Sequence, residues 1–231
     1  MENNIKQIKD LTDHARDFFE KCYMHNETGS SYSSKEELTM ALLEELDLIK
    51  QRKNNLYHEI KIVDLGSGKQ DLLKSFLSYY QAMENDGNQQ LLTIPIDIVK
   101  LHNFSPLPNT VMSDINQLAI KDKSVDIIIS NMTLSLLPEQ SLKKEIYRIL
   151  KRGGVLLATL HNFNSEMYTP PEKFKNLLEE YGIARGNMDD IKQRFVKAGF
   201  NEVNIREYQD HSLSTGELYE DCYIVRAVKG D

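Results

Sequence analysis

Apolar residues recur along this chain at two spacings that alternate from one end to the other. Spacings of three and four residues are typical of one apolar helical face, whereas short apolar runs between turn residues are typical of buried strands. We predict helices over 5–24, 36–51, 72–83, 142–151, 171–181 and 188–198. We predict strands over 61–65, 91–99, 125–130, 155–160, 201–208 and 221–228. Strands that alternate with helices predict an α/β fold.

Small polar residues and glycines mark where several of these helices begin and end. Ser34, followed three residues later by Glu37, forms a capping box that predicts the start of the helix over 36–51. Gly199 follows the helix over 188–198, and the pair Gly153-Gly154 is expected to stop the helix over 142–151.

The stretch 62–73 predicts a ligand site. It reads Ile-Val-Asp-Leu-Gly-Ser-Gly-Lys-Gln-Asp-Leu-Leu, which is a strand, a glycine turn and the start of a helix. Gly66 and Gly68 allow a sharp reversal and let a ligand lie against bare backbone. Asp71 stands where a dinucleotide site has its third glycine, and Gln70 replaces the Ser or Thr of a P-loop. The turn therefore suits a ligand that presents no phosphate to it.

A carboxylate follows on the second predicted strand. Asp97 comes near the C-terminal end of that strand, the edge at which open α/β sheets bind ligands, and it can accept hydrogen bonds from both hydroxyls of a ribose. Pro95 argues against a central position for this strand, because proline cannot donate to a central ladder.

The motif Asp64-Leu65-Gly66-Ser67-Gly68 resembles the first motif of the class I S-adenosylmethionine-dependent methyltransferases, Asp/Glu-x-Gly-x-Gly-x-Gly, although Gln70 replaces the last glycine. Asp114 and then Val125-Asp126 follow in the order typical of that family, and Gly153-Gly154 resembles its closing signature. The resemblance implies a seven-stranded, mostly parallel sheet with the last strand antiparallel, helices on both faces and an N-terminal helical lid. We expect one domain over 1–231, with a lid over 1–56, a cofactor-binding half over 57–160 and a substrate-side half over 161–231.

The resemblance also implies S-adenosyl-L-methionine as cofactor and assigns residues to it. Asp97 and the adjacent Ile98 would meet the ribose, Asp114 would accept from the adenine amino group, and Ile115 would meet the ring edge. Asn131, directly after the strand predicted over 125–130, would lie beside the reacting methyl. The predicted cofactor-binding residues are Asp64, Gly66, Ser67, Gly68, Asp97, Ile98, Asp114, Ile115 and Asn131.

Candidate acceptor-side residues lie outside these motifs. His161 directly follows the strand predicted over 155–160, and it is the candidate general base because histidine side chains ordinarily titrate near working pH. Candidates for contacts with the acceptor or for a lid are Tyr23, His25, Tyr32 and Tyr168. Amino methyltransferases that act on bases carry Asp/Asn-Pro-Pro-Tyr after strand four, and Asn131-Met-Thr-Leu has neither the prolines nor the aromatic residue.

The composition of the chain limits the kinds of partner that we expect it to bind. The 231 residues include 28 Lys plus Arg and 35 Asp plus Glu, and the net charge of −7 opposes indiscriminate attraction to nucleic acid or to anionic lipid. Cys22 and Cys222 support neither a disulfide framework nor a cysteine-rich zinc site, and no metal is predicted. The polar N-terminus and the lack of a long apolar run predict a cytoplasmic protein with no membrane partner.

These features favour in-line methyl transfer to a small molecule. A protein or RNA methyltransferase is the alternative within the same class of enzyme, and a non-catalytic S-adenosylmethionine-binding regulator or partner subunit is the alternative outside it. A nicotinamide-dependent dehydrogenase is disfavoured by Asp71. The sequence leaves the acceptor and the oligomeric state open.

Overall fold

A computed structural model describes residues 33–52, 59–83, 90–99, 105–137, 141–163, 186–211, 216 and 218–230. The strands are β1 (Ile60–Leu65), β2 (Leu91–Asp97), β3 (Val111–Met112), β4 (Val125–Asn131), β5 (Leu150–His161), β6 (Phe200–His211) and β7 (Leu218–Lys229). The helices are α1 (Ser33–Arg52), α2 (Asp71–Met83), α3, which runs as a π-helical turn Leu142–Ile146 into Tyr147–Ile149, and α4 (Met188–Ala198). Short 3-10 turns occupy Ile115–Gln117 and Thr133–Leu136. The helices predicted over 5–24 and 171–181 and the proposed lid segment before Ser33 lie outside the described residues.

The seven strands form one sheet in the order β3-β2-β1-β4-β5-β7-β6. Strands β1 to β5 are parallel, and β7 is antiparallel to both β5 and β6. The predicted seven-stranded, mostly parallel sheet is therefore confirmed. The strand order reverses between β1 and β4, and the carboxyl ends of strands at such a switch point form a crevice for ligands.

Helices cover both faces of this sheet, as predicted. On one face, apolar residues of α1 and α2 such as Leu38, Leu42 and Phe76 pack against the inner side chains of β1, β4 and β5. On the other face, Ile146 of α3 and Phe195 of α4 pack in a second buried cluster. Each face of the sheet is thus covered by its own apolar cluster. Among the described residues, no helix is long and apolar enough to span a membrane.

Helix α1 begins at Ser33, not at Glu36 as the capping box predicts. Ser34 Oγ donates to the buried carboxylate of Asp210 at 2.6 Å, and Ser34 N donates to the other Asp210 oxygen at 2.8 Å. Glu37, the expected partner of Ser34 in the box, instead pairs with Arg206 on β6. A carboxylate from the β6 strand therefore caps this helix from outside, a partner that local sequence does not reveal.

Helix α3 ends at Ile149, four residues before the glycine pair expected to stop it. Lys229 Nζ donates to the carbonyls of Tyr147 and Leu150 at 2.6 and 2.9 Å, which satisfies the last carbonyls of the helix before Gly153 is reached. Leu150 already pairs with Val125 of β4, and Gly153, with φ of 67°, lies in the irregular register that follows. The glycine pair therefore shapes the start of β5 rather than the end of α3.

Pro95 lies inside β2, which is flanked by β1 and β3. The Asp97 carbonyl accepts from Ser113 N at 2.9 Å on the β3 side. Alternate residues of a strand direct their backbone groups the same way, so Pro95 also faces that side. Strand β3 pairs only with Ile96 and Asp97 and does not extend back to Pro95. The proline thus costs the sheet no ladder hydrogen bond.

Candidate functional site

The glycine turn between β1 and α2 adopts left-handed backbone at three positions. The φ angles are 71° at Gly66, 48° at Gly68 and 61° at Gln70. Gly66 N and Ser67 N both donate to the Ile96 carbonyl, at 2.8 and 3.0 Å. These bonds fix the turn to the end of β2, at the switch point of the sheet.

Gly66 is close to Thr133, which lies in the 3-10 turn that follows β4. A Cβ at Gly66 would lie 1.9 Å from Thr133 Oγ1, so any larger residue would collide with Thr133 in addition to being strained by the positive φ. Gly66 is thus required by the packing of this site, whatever ligand lies above it.

Gln70 occupies the position of the missing third glycine. It is buried, Gln70 Nε2 donates to Thr110 Oγ1 at 2.9 Å, and Gln70 Oε1 accepts from Leu107 N at 2.7 Å. These two hydrogen bonds offset the strain of a positive φ at a residue with a side chain. They also join the glycine turn to the segment 105–110 that leads into β3.

Asp97 connects the glycine turn to the end of β2. Asp97 is 8% exposed, its Oδ2 accepts from Gly68 N at 2.7 Å, and its Oδ1 accepts from Val99 N at 2.9 Å. Burial raises the pKa of Asp97, while the backbone N–H groups of Val99, Gly68 and Ile98 act in the opposite direction. A carboxylate has about four acceptor positions, so these bonds leave capacity for ligand hydroxyls.

Asp64 lies deeper in the same corner. Burial, and then the negative charge of Asp97, raise the pKa of Asp64 to about 8, while the ammonium of Lys35 acts to lower it. Lys35 comes from the first turn of α1, and its Nζ lies 3.5 Å from Asp71 Oδ2. The site thus places two buried carboxyl groups in one corner, and a positively charged ligand there would favour their ionised forms.

Ser67 contributes a buried hydroxyl group. Within the described residues Ser67 Oγ has no hydrogen-bond partner. A buried unsatisfied polar atom is costly and calls for an explanation. Ser67 lies between Gly66 and Gly68, and Gly68 N donates to the Asp97 carboxylate. A polar ligand group in this corner could complete the Ser67 hydroxyl, and so the corner fits an adenosyl cofactor.

Asp114 caps the 3-10 turn Ile115–Gln117. Its Oδ1 accepts from Asn116 N at 2.8 Å and from Asn116 Nδ2 at 2.9 Å. Asn116 Oδ1 in turn accepts from Ser141 Oγ, at the start of α3. Ile115 is buried in the core below, so its side chain anchors the turn and its backbone is the part left for a ligand.

The end of β4 is held by β5. Thr159 Oγ1 donates to Asn131 Oδ1 at 2.6 Å, and Met132 N donates to the Thr159 carbonyl at 3.0 Å. Met132 has φ of 61°, which is uncommon for a residue with a side chain and is found at functional sites. Asn131 is therefore oriented by a neighbouring strand.

His161 ends β5 at the same edge of the sheet. Its backbone N–H donates to the buried Ser135 Oγ at 2.8 Å, and its ring lies 5.6 Å from the Phe163 ring, centre to centre. The backbone bond positions the residue, and its role as base stays a prediction.

The other acceptor-side candidates lie outside the described residues: Tyr23, His25, Tyr32 and Tyr168. Among the described residues, no group of three or more His, Cys, Asp or Glu could hold a metal ion.

Sequence reasoning missed four residues of this site. Lys35 and Gln70 reach it from outside the recognised motifs or in place of a motif glycine, and Thr133 and Thr159 support the end of β4. Only Gln70 had a local signal, because it replaces a glycine in the motif.

Comparison with known proteins supports the same assignment. Residues 63–158 match a family model described as "Methyltransferase domain". The chain is 28% identical over 111 residues to human arsenite methyltransferase, covering 48% of this chain and 24% of that protein. It is 28% identical over 116 residues to arsenite methyltransferase of Aquipseudomonas alcaligenes, covering 47% of this chain and 32% of that protein.

Structural comparison gives the fold. A structure of Haemonchus contortus phosphoethanolamine N-methyltransferase 2 with phosphomonomethylethanolamine and S-adenosylhomocysteine superposes with a TM-score of 0.50 at 15% identity, covering 81% of this chain and 52% of that one. The chain therefore spans about a quarter to a third of the curated relatives and half of this structure. The matched segment runs from β1 to β5 and contains the glycine turn, Asp97, Asp114 and Asn131. Residues 63–158 are thus similar to a methyltransferase domain, and the chain shares its fold with a methyltransferase structure that holds S-adenosylhomocysteine.

Proposed function

We propose that this protein binds S-adenosyl-L-methionine at the edge formed by β1, β2 and β4 and transfers its methyl group to a small-molecule acceptor. The observation that carries the proposal is the Asp97 carboxylate, which is buried at the switch point and bonded to the backbone of the glycine turn. Ser67, with its buried unsatisfied hydroxyl, lies in the same turn. A ribose hydroxyl pair and a cationic centre match this combination of acceptor capacity and negative charge.

The cofactor supplies an electrophilic methyl group on a sulfonium, and the residues of the chain hold the cofactor and the acceptor in place. Asp97 would hold the ribose, Asp114 would accept from the adenine amine, and the glycine turn would carry the rest of the cofactor against its backbone. Holding the acceptor in line with the methyl and excluding water account for most of the rate that such a site can supply. His161 would take a proton from the acceptor where the acceptor carries one.

A small acceptor is supported by the relatives and by the site. The matched relatives are named for arsenite and phosphoethanolamine, both of them small molecules. Arsenite itself is a poor candidate here, because soft centres are held by thiolates, the chain has two cysteines, and Cys222 is fully buried in β7.

Calorimetry tests the cofactor half of the proposal. S-adenosylmethionine and S-adenosylhomocysteine should each bind the purified chain, and Asp97→Ala should weaken both affinities about tenfold or more, because it removes charge-assisted hydrogen bonds. Asp47→Ala, at an exposed position of α1, is the control and should bind as the wild type does. No heat with either compound, or tight binding of a nicotinamide dinucleotide instead, would overturn the proposal.

His161 is tested separately once an acceptor is found. His161→Gln should lower kcat about a hundredfold, within the range ascribed to general acid–base catalysis. Cofactor affinity should stay unchanged, because the proposal gives the ring no contact with the cofactor. Unchanged turnover in this variant would remove His161 as the base and leave the methyl-transfer proposal intact.

A further inference from the structure

The carboxylate of Asp114 is not oriented by its own turn alone. Both of its hydrogen bonds to Asn116 fall on the same oxygen, Oδ1, at 2.8 Å to the backbone N and 2.9 Å to Nδ2. Two donors on one oxygen fix the rotation of the carboxylate plane. Asn116 can direct Nδ2 at Asp114 only while its own amide keeps one orientation.

That orientation is determined by α3. Ser141 Oγ donates to Asn116 Oδ1, and Ser141 is 3% exposed at the start of the helix. A hydroxyl donor on the amide oxygen leaves the NH2 group facing Asp114, so the chain of contacts runs from Ser141 through Asn116 to Asp114.

The same helix holds the segment that follows Asn116. Glu145 Oε2 accepts from Leu118 N at 2.9 Å, and Arg148 Nη2 donates to the Leu118 carbonyl at 3.0 Å and to Glu145 Oε2 at 2.7 Å. Ser141, Glu145 and Arg148 are spaced four and three residues apart, so one face of α3 contacts this segment along its length. The first five residues after Ser141 form a π-helical turn, a winding often found at functional sites.

We infer that Ser141 and Asn116 are positioning residues that orient Asp114 for the 6-amino group of adenine and so determine the preference of the site for an adenosyl compound. This inference rests on the proposed function, and it adds to that function the residues that enforce base selectivity. A carboxylate held in one plane presents its acceptor lone pairs in one direction, whereas a rotating carboxylate meets an amine and a bare ring edge with less discrimination. Sites built to hydrogen-bond a substrate NH group reject analogues that lack it.

The test compares two ligands by calorimetry: S-adenosylhomocysteine and its analogue in which hydrogen replaces the adenine 6-amino group. The wild type should prefer the amine-bearing compound about tenfold or more, as expected for a hydrogen bond to a charged group. Asn116→Ala and Ser141→Ala should each reduce this preference at least about threefold, mainly by weakening the affinity for the amine-bearing compound. Ser141→Thr keeps the hydroxyl and should retain the preference.

Two control variants and one double-mutant cycle distinguish the positioning role of Ser141 and Asn116 from a general loss of structure. Asn204→Ala, exposed on β6, and Ser124→Ala, whose Oγ donates to the Lys121 carbonyl, should leave the preference unchanged. Asp114→Ala should abolish the preference, and Ser141→Ala added to it should then change nothing, because the pathway ends at Asp114. A thermal unfolding curve for each variant identifies any that does not fold, and Asn116→Ala with Ser141→Thr carries the test if Ser141→Ala is the variant that fails.

The possible outcomes distinguish failure of the role inferred for Ser141 and Asn116 from failure of the proposed function. Failure of the wild type to bind S-adenosylhomocysteine would overturn the proposed function. Binding with an amine preference that Ser141→Ala and Asn116→Ala leave intact would overturn only the role of these two residues. Equal affinity of the wild type for both ligands would overturn the inference while cofactor binding stands.

Discussion

Asp64 and Asp97 show how two acidic residues on neighbouring strands acquire different roles. Asp97 meets backbone N–H groups that act against the effect of burial, whereas the effects that raise the pKa of Asp64 are burial and the charge of Asp97, opposed by Lys35. Asp64 therefore keeps its proton to about pH 8 in the folded chain without ligand.

This proton makes stability depend on pH in a direction opposite to that of a salt-bridged carboxylate. Between about pH 4 and pH 8 the unfolded chain loses the Asp64 proton while the folded chain keeps it, so the free energy of unfolding falls as pH rises through that window. Asp64→Asn has no proton to lose. Relative to the wild type, this variant should gain on the order of a few kcal/mol in denaturant titrations between pH 5 and pH 8.5. Asp47→Asn is the exposed control, and an Asp64→Asn curve parallel to the wild type would contradict the assignment.

Gln70 shows the reverse case, in which a residue with a side chain adopts a glycine-like φ. Gln70→Gly relieves the backbone strain but removes the bonds to Leu107 and Thr110, so we expect a net loss of about 1–2 kcal/mol in the free energy of unfolding. Gln70→Ala keeps the strain and loses the bonds, and it should be less stable than the glycine variant. Glycine and alanine variants of equal stability would show that φ at this position carries little cost.

At the scale of elements, the first helix is docked to the hairpin of β6 and β7. Asp210 accepts from Ser33 Oγ at 3.0 Å as well as from both donors of Ser34, and His211 N donates back to Ser33 Oγ at 2.9 Å. The first turn of α1 also carries Lys35 into the glycine-turn corner. One carboxylate on β6 therefore positions both the helix end and a charge of the site.

Asp210→Ala should destabilise the chain by about 2–4 kcal/mol, because it leaves a buried helix N-terminus without its acceptor. Because Lys35 moves with that turn, the pH dependence assigned to Asp64 should also change. Glu207→Ala, exposed on the same strand, is the control for thermal unfolding. A loss of less than about 0.5 kcal/mol in Asp210→Ala would contradict this role.

At the scale of the whole molecule, charge bears on the choice of acceptor. The net charge of −7 works against long-range attraction of polyanions, so an RNA acceptor would need a local basic patch to compensate. Incubation of the purified chain with a methyl-labelled donor and a size-fractionated cell extract should place the label in the low-mass fraction. Label confined to RNA or to protein would favour the macromolecular alternatives, and cofactor binding without any label would favour a non-catalytic binder.

Much of this architecture follows from local pattern. Strand β1, the glycine turn, α2 and α4 with its closing Gly199 lie within a residue or two of their predicted bounds, because apolar periodicity and glycine chemistry act over a few residues. The order of motifs from Asp64 to Gly154 also gave the resemblance to the methyltransferases, since each motif marks the end of a strand or a turn that the sheet requires.

Only the tertiary structure shows which residues far apart in sequence contact each other. Ser34 is capped by Asp210, 176 residues away, and the end of α3 is satisfied by Lys229 rather than by the glycines beside it. The sequence by itself determined most of the strands, the helices and the glycine turn, because these depend on neighbours in the chain. The tertiary structure alone decided how carboxylates such as Asp64 and Asp114 are charged and oriented, because burial and distant partners exist only after the strands and helices have packed.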